Sequence, residues 1–209
     1  IVAVNREVDA QTAAAMKPVF LEIIIAPSFS PEALEILTTK KKLRLLTVDM
    51  SRDGARERQL VSVNGGLLVQ DLDTETKTVT TEMSVTDKQP TAVQLADLDF
   101  AWRIVKHVKS NAIVVVKDSV TVGVGAGQMN RVGSAEIALK QAKEKGITTG
   151  LVMASDGFFP FDDTVSLAAG YGVTAIVQPG GSMRDEDSVK KANELGIAMV
   201  VTGQRHFKH

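Results

Sequence analysis

The sequence predicts an α/β protein with a three-layer α/β/α arrangement. Hydrophobic residues make up 44% of the 209-residue chain, whereas aromatic residues make up only 4%. The core must therefore consist mainly of Val, Leu, Ile and Ala, a composition typical of buried parallel strands covered by helices. Apolar runs of strand length also alternate with segments of helical periodicity. The length permits a large core and either one large or two small domains.

The composition excludes several classes of protein and site. The 24 Lys and Arg residues balance 25 Asp and Glu residues, so no nucleic-acid partner is expected, and the basic residues 40–42 are interpreted as a solvated helix end. Cysteine is absent, which excludes disulfides, thiol catalysis and sulfur-ligated zinc. Since no signal peptide or membrane-length apolar run is seen, we expect a cytoplasmic protein without a membrane partner.

Residues 1–50 are predicted to be part of a first α/β unit. Residues 1–4, 20–26 and 43–48 are expected to form strands, the first of them buried. Ser30 is expected to cap a helix whose first position is Pro31, giving a right-handed βαβ unit. A buried strand at the very start is unusual for a natural N-terminus, so we expect a fragment of a longer protein, and a processed terminus is the open alternative. The buried face of the helix is assigned to Leu34 and Leu37, and whether Ile36 also belongs to it stays open.

Residues 51–96 are expected to connect two units. The Asn64-Gly65 pair lies between apolar segments and predicts a β-hairpin. The threonine-rich residues 74–81 are expected to form an exposed strand or arm. The region begins with a rise in charge at Arg52, Asp53, Arg56, Glu57 and Arg58.

Residues 97–209 are predicted to form one compact α/β/α unit. Leu95, Leu98, Trp102 and Val105 recur at helical spacing and predict a helix that leads into this unit. A tight hairpin is expected around Asp118-Ser119. Further elements are predicted as strands at 113–116, 120–124, 150–154, 174–178 and 197–202, and as helices at 134–145, 163–170 and 185–195.

Three of these strands end in small or polar segments, at residues 154–163, 178–182 and 202–207. Backbone N–H groups and small residues where strands end and helices begin admit a phosphate or a flat ring. The sequence therefore predicts a small-molecule site at these loops.

Glycines 123, 125 and 127 lie between a predicted strand and a predicted helix. Their spacing does not match the dinucleotide fingerprint, so a nicotinamide cofactor is not expected. Two interpretations stay open: close packing of the strand on the helix, or close approach of the backbone to a ligand whose anion Arg131 would bind.

Phe158, Phe159 and Phe161 are concentrated around Pro160, close to Asp163. Core packing explains one or two of these rings, and a wall that stacks on a planar heterocycle is the open alternative.

Three other segments have two interpretations each. Residues 180–182 form either a glycine loop before a capped helix or a ligand contact. Residues 205–209 are either a frayed tail or a segment held in place. Lys106-His107 is expected to be a surface or packing pair rather than a catalytic dyad.

Several long motifs, in order along the chain, resemble one known family. They are residues 99–102 (DFAW), 106–113 (KHVKSNAI), 122–131 (VGVGAGQMNR), 154–161 (ASDGFFPF), 178–182 (QPGGS) and 205–209 (RHFKH). They resemble the C-terminal half of the bifunctional purine-biosynthesis enzymes that join AICAR transformylase to inosine monophosphate (IMP) cyclohydrolase. The resemblance covers essentially the whole chain.

The resemblance implies formyl transfer from 10-formyltetrahydrofolate to AICAR in IMP biosynthesis, by a homodimer. It implies two units similar to cytidine deaminase but without its zinc, the first ending within residues 1–50 and the second filling 97–209. The family's catalytic Lys-His pair and its cyclohydrolase domain would lie upstream of Ile1. We therefore expect the chain alone to transfer no formyl group.

The resemblance also assigns individual residues. Asn111 matches a catalytic residue that orients the AICAR amine, and Ser110 and Asp156 match positions near a bound potassium ion. The AICAR site is assigned to Asn111, Arg131, Phe158 and Arg205. The folate site is assigned to Val132, Pro160, Phe161, Asp163 and Ser182, with Asp163 accepting the pterin N–H donors.

Two other functions were considered. The chain could be a noncatalytic ligand-binding or dimerisation module of the same enzyme. A zinc deaminase is suggested by fold analogy, but the His-x-Glu and Pro-Cys-x-x-Cys residues that it requires are missing.

Overall fold

The computed structural model describes residues 1–50 and 58–209. The chain divides into two compact units, Ile1–Thr74 and Glu75–His209. The hairpin predicted between the units therefore belongs to the first unit, and residues 75–96 belong to the second. Of the charged residues noted at 52–58, all but Arg58 lie outside the described residues. Among those described, no helix has the length and apolar character needed to cross a membrane.

The first unit contains a three-stranded parallel sheet in the order β1-β2-β3. Its strands are β1 (Val2–Ala3), β2 (Ile23–Ala26) and β3 (Arg44–Thr47), and its helices are α1 (Ala10–Met16) and α2 (Pro31–Leu37). Ser30 accepts the backbone N–H of Ala33 at 3.1 Å and Pro31 is the first helical residue. The predicted cap and the predicted strand–helix–strand unit are confirmed.

The core of this unit lies on one face of the sheet, where Ile24, Ala26 and Leu37 are buried. The prediction of a buried first strand was wrong, because β1 is a short edge strand and Ile1 is 77% exposed. Leu34 is also exposed, since α2 turns Ala33 and Leu37 toward the core instead.

The predicted hairpin is confirmed as β4 (Arg58–Val63) paired antiparallel with β5 (Gly66–Asp71). Gly65 has a φ of 85°, which the tight turn requires and which glycine adopts without strain. Large apolar side chains of both strands face solvent, among them Leu60 at 63% and Leu68 at 59% exposure.

Residues 74–81 form no strand in the structure. The backbone N–H of Val79 donates to the Asp99 carboxylate at 2.9 Å, and the N–H of Lys77 donates to the Gln204 side chain at 3.1 Å. Because side chains rather than a neighbouring strand take these donors, the stretch is the largely exposed arm of the two predicted forms, and not the strand.

The second unit contains a five-stranded mixed sheet in the order β10-β9-β8-β6-β7. Strands β8, β9 and β10 run parallel, whereas β6 runs antiparallel to both β7 and β8. The strands are β6 (Ile113–Lys117), β7 (Val120–Gly125), β8 (Leu151–Ser155), β9 (Val173–Gln178) and β10 (Ala198–Val201). The helices are α3 (Ala92–Val105), α4 (Arg131–Glu144), α5 (Asp163–Gly170) and α6 (Asp185–Glu194).

Helices cover both faces of this sheet. Leu98 and Trp102 of α3 pack in the cluster on one face. Leu139 of α4, Val165 of α5 and Ala192 of α6 pack in the cluster on the other. The α/β class and the predicted elements of this unit are confirmed, with boundaries that differ by a few residues.

The hairpin turn between β6 and β7 is stabilised by a buried carboxylate. Asp118 and Ser119 have φ angles of 52° and 57°, as the tight two-residue turn requires. Asp97 of α3 is buried and accepts their backbone N–H groups at 2.9 and 2.7 Å. The carboxylate therefore satisfies two donors that the turn leaves without strand partners.

Gly123 and Gly125 pack β7 directly on α4. A Cβ at Gly123 would overlap the carbonyl group of Ala138, and one at Gly125 would overlap that of Ser134. Close strand–helix packing therefore explains both glycines.

Candidate functional site

The predicted loops meet at one edge of the five-stranded sheet. Strands β8, β9 and β10 are parallel, so their carboxyl ends lie together. Strand β6 is antiparallel to β8 and pairs Ile113 with Ser155, so it begins where β8 ends. Residues 110–112, 156–162, 179–184 and 202–207 consequently share this edge.

A buried ion pair lies at the centre of this edge. Arg131, the first residue of α4, places Nη2 at 3.3 Å from Oδ1 of Asp156, which directly follows β8. The Asp156 side chain is fully buried and that of Arg131 is 12% exposed. Among the described residues, neither the Arg131 Nε atom nor the Asp156 Oδ2 atom has a hydrogen-bond partner. The pair therefore keeps one donor and one acceptor for other groups.

Two cations lie close to the Phe158 ring. The guanidinium carbon of Arg131 is 5.9 Å from the ring centroid, and that of Arg205 is 5.0 Å from it. Arg205 follows β10 and also lies close to Gly181 in the loop after β9. Thus three of the four residues assigned to AICAR are brought together, and Gly181 approaches them.

The C-terminal segment is held in place. The N–H of His206 donates to the Asp156 carbonyl at 3.0 Å, and Ser110 and Lys208 exchange hydrogen bonds of 2.8 and 3.0 Å. His206 is buried, with its ring centroid 4.7 Å from that of Trp102. Of the two interpretations of this segment, the structure supports the ordered one.

Asn111 lies immediately before β6, and its peptide bond with Ser110 is cis. The side-chain amide nitrogen donates to the Gln128 carbonyl at 2.9 Å, and the Asn111 carbonyl accepts the Ser134 hydroxyl at 2.7 Å. These bonds fix the side chain beside the start of α4, and they leave its Oδ1 atom as an acceptor.

The residues assigned to folate occupy two neighbouring loops. Pro160 and Phe161 are exposed in the loop after β8, and the Arg184 guanidinium lies 5.2 Å from the Phe161 centroid. Arg184 also donates its N–H to Ser182 Oγ at 3.1 Å. Asp163 is exposed at the start of α5, where its Oδ1 accepts the N–H of Thr164 at 2.7 Å.

One further ion pair joins these loops to α6. Lys191 is 3.7 Å from Asp162 and 2.9 Å from Glu194. The pKa of Lys191 is raised, first by its hydrogen bond with Glu194 and to a smaller extent by Asp162.

Val132, the remaining residue assigned to folate, is the second residue of α4 and is half-buried.

The three clustered phenylalanines have different roles. Phe159 is fully buried in the core beneath α4 and α5. Phe158 is half-buried and lies close to two cations, whereas Phe161 is 51% exposed. A binding wall can therefore use Phe158 and Phe161, and core packing accounts for Phe159.

Phe207 belongs to the same cluster, although no role was predicted for it. Its centroid lies 6.0 Å from the Arg131 guanidinium carbon, and the ring is 43% exposed. The ASDGFFPF and RHFKH motifs both contain aromatic residues near cations, but their proximity depends on the sheet order. Only the fold places Phe207 beside Arg131.

Other surface features do not coincide with this cluster. A depression of about 450 Å³ runs along one side of α6 and is lined from Asp185 to Glu194. Another of about 390 Å³ lies at the opposite edge of the sheet, beside Lys117 and Thr149. Within the described residues, no group of three or more His, Asp or Glu side chains is arranged to hold a metal ion.

Comparison with known proteins identifies the family. The family model described as the AICARFT/IMPCHase bienzyme matches residues 1–141. The chain is 62% identical over its full length to the bifunctional purine biosynthesis protein PurH of Anoxybacillus flavithermus and 62% identical to that of Bacillus subtilis. PurH of Bacillus cytotoxicus is 58% identical.

The chain spans about 40% of the length of these curated relatives. A solved structure titled protein ybgI, of unknown function, aligns over 98% of the chain and 72% of its own, at 13% identity and a TM-score of 0.23. That likeness is too weak to bear on the fold. The family model and the relatives agree over more than half of the chain, and the chain belongs to the AICARFT/IMPCHase bienzyme family.

Proposed function

We propose that this chain supplies part of an AICAR transformylase site, which transfers a formyl group from 10-formyltetrahydrofolate to AICAR. The observation that carries the proposal is the placement of the Arg131 and Arg205 guanidinium groups within 6 Å of the Phe158 ring centroid, at the edge where three strands end. Membership in the bienzyme family supports the same reaction. The enzyme would act in the cytoplasm, in the biosynthesis of IMP.

The nucleotide has a phosphate and a flat heterocycle, and the cluster offers a partner for each. Guanidinium groups bind phosphate through charge-assisted, bidentate hydrogen bonds. The half-buried Phe158 ring offers an aromatic face for the heterocycle. Asn111 Oδ1 would accept a hydrogen bond from the AICAR amine, because its amide nitrogen is already bonded to Gln128.

The folate would lie along the loops after β8 and β9. Pro160 and Phe161 present exposed apolar surface there, and Ser182 lies in the adjoining loop. Asp163 carries a carboxylate at the surface, where it could accept pterin N–H groups.

The reaction joins a weakly nucleophilic aromatic amine to a formamide of modest reactivity. Most of the acceleration must therefore come from alignment of the two groups and stabilisation of the developing oxyanion. The residues of this chain would supply alignment: Arg131 and Arg205 hold the nucleotide, and Asn111 orients its amine.

A monovalent cation near Asp156 is also proposed. Oδ2 of Asp156 is buried and has no partner among the described residues, which suits a cation with oxygen ligands. Ser110 would contribute from the segment paired with Lys208. Potassium would bind the Oδ2 atom, while Arg131 compensates the carboxylate charge through Oδ1.

The mixed strand order of the second unit supports a cytidine deaminase-like arrangement. A version without zinc is proposed because the sequence lacks the cysteine ligands of the deaminase zinc. A homodimer is proposed as the assembly, because both strands of the β4–β5 hairpin expose large apolar side chains, a feature of interaction surfaces. Sedimentation velocity tests the dimer, and a monomer at micromolar concentration would argue against it.

The Arg205→Ala substitution tests the proposed site in a full-length bifunctional protein that carries this segment. We expect the KM for AICAR to rise roughly 10- to 100-fold, the effect of losing a charge-assisted hydrogen bond. Cyclohydrolase activity of the same polypeptide should not change. Arg103→Ala is a matched control, because Arg103 is an exposed arginine on α3 that pairs with Asp99.

An unchanged KM for AICAR in the Arg205→Ala variant would contradict the proposed nucleotide site. An equal rise in the KM for AICAR in the Arg103→Ala control would show that the effect is not specific to the site.

A further inference from the structure

We propose that His206 is a positioning residue of the formyl-transfer site, because its buried side chain anchors the C-terminal segment that carries Arg205. This inference rests on the proposed function. Within residues 203–209, His206 is the one buried residue, with an exposed fraction of 0%. Its ring packs on the fully buried Trp102 of α3, with 4.7 Å between the two ring centroids.

The side chains of this segment alternate between the site and the core. Arg205 and Phe207 are exposed, and the Arg205 guanidinium carbon lies 5.0 Å from the Phe158 ring centroid. His206 lies between them in sequence and packs on Trp102 instead. Consecutive side chains of an extended chain point to opposite sides. Burial of the side chain at position 206 therefore turns its two neighbours toward the site.

The anchor matters because Arg205 is exposed, so burial of its own side chain does little to fix its position. Backbone hydrogen bonds hold the segment at Gly203 and at Lys208. Between these points, the His206 N–H donates to the Asp156 carbonyl at 3.0 Å. That bond alone would let the chain rotate about it, and the buried ring removes this freedom.

His206 therefore acts through Arg205 and need not touch the nucleotide itself. Without its ring, a cavity would open beside Trp102, and the segment could turn into it and misplace the Arg205 guanidinium. Asn111 should move less, because Ser110 and Lys208 bond to each other without the imidazole. The effect should accordingly appear mainly in the KM for AICAR, with a smaller change in kcat.

The test uses His206→Ala in a full-length bifunctional protein that carries this segment. We expect the KM for AICAR to rise roughly 5- to 30-fold, as for other displacements of a binding group, with unchanged cyclohydrolase activity. His206→Leu should keep the KM within about twofold of its original value, because leucine refills most of the space against Trp102. An equal rise in the two variants would overturn the inference, because packing at position 206 would then not place Arg205.

Leu98→Ala is the matched control for loss of packing. Leu98 is fully buried, and it lies on the same helix and in the same cluster as Trp102. Its truncation should lower the urea midpoint of unfolding and leave the KM for AICAR unchanged. The same rise in KM as in His206→Ala would show a general effect of lost stability, which also overturns the inference.

A smaller truncation covers the case in which His206→Ala does not fold. His206→Val keeps part of the packing and should raise the KM for AICAR by a smaller factor, about two- to fivefold. An unchanged KM in the folded His206→Val variant would overturn the inference.

A double-mutant cycle decides whether His206 acts through Arg205. In the Arg205→Ala background no guanidinium is left to be misplaced, so His206→Ala should cause little further rise in the KM for AICAR. A rise by the same factor in both backgrounds would contradict action through Arg205.

The same variants separate this inference from the proposed function. If Arg205→Ala raises the KM for AICAR and His206→Ala does not, the positioning role fails and the nucleotide site stands. If Arg205→Ala leaves the KM unchanged, both fail, whatever the result for His206→Ala.

Discussion

Replacing Phe159 by alanine is expected to lower the free energy of unfolding by about 3–5 kcal/mol, the range for removal of a buried aromatic ring. Phe159 is fully buried and packs in the same cluster as Ile113, Met153 and Val165. The deleted ring would leave a cavity between β8 and the helices that cover it. Urea denaturation of the purified chain, followed by circular dichroism, measures the loss.

Phe161→Ala is the matched control for this substitution. Phe161 lies two residues further along the same loop, but its ring is 51% exposed, so the expected loss is below about 1 kcal/mol. Equal losses of unfolding free energy in Phe159→Ala and Phe161→Ala would contradict the interpretation of Phe159 as a core ring and Phe161 as a surface ring.

Replacing Arg131 by alanine is expected to destabilise the fold by about 3–5 kcal/mol, because it leaves the Asp156 carboxylate buried without its cation. The Asp156 side chain has no exposed surface, and its closest cation is Arg131 at 3.3 Å. In a full-length bifunctional protein, the same change should also weaken AICAR binding. Chemical denaturation and AICAR titration calorimetry measure the two effects separately.

A double substitution distinguishes loss of the pair from loss of the arginine alone. Arg131→Met with Asp156→Leu removes both charges and replaces them by apolar groups, a change that is often neutral for stability. The double variant should therefore be more stable than Arg131→Ala. A double variant no more stable than the single one would show that the unpaired carboxylate is not the cause.

Local signals predicted most of the secondary structure. Both hairpins were predicted from a pair of turn residues, Asn64-Gly65 for one and Asp118-Ser119 for the other. Tight two-residue turns require positive φ angles that few residues adopt readily. Ser30 and Pro31 gave the start of α2. Each of these signals depends only on residues within four positions of one another. The structure that it predicts is therefore formed locally, whatever the rest of the chain does.

Boundaries that depend on neighbours were less accurate. The predicted start of α4 was Ser134, whereas the helix begins at Arg131 because Asn130 caps it by accepting the N–H of Gly133 at 2.8 Å. The threonine-rich stretch has strand propensity but pairs with side chains of α3 and of the C-terminal segment instead.

The site was predictable from the resemblance and from strand ends, but its contacts were not. Arg131 and Asp156 are 25 positions apart in sequence, and only the antiparallel placement of β6 beside β8 brings the start of α4 to the end of β8. Phe207 is similarly placed beside Arg131 by the fold. The assignment of individual residues to AICAR and to folate stays a prediction for every residue of the site.

The central claim is that the loops at the carboxyl edge of the second sheet form one site for a nucleotide and a folate. Hydrogen exchange measured by mass spectrometry tests it most directly, in a full-length bifunctional protein with and without AICAR and a folate analogue. We predict slower exchange in residues 156–163, 179–184 and 202–207, and no change in residues 117–120 and 146–150 at the opposite edge. Unchanged exchange in the three loops, or protection at the opposite edge alone, would contradict the claim.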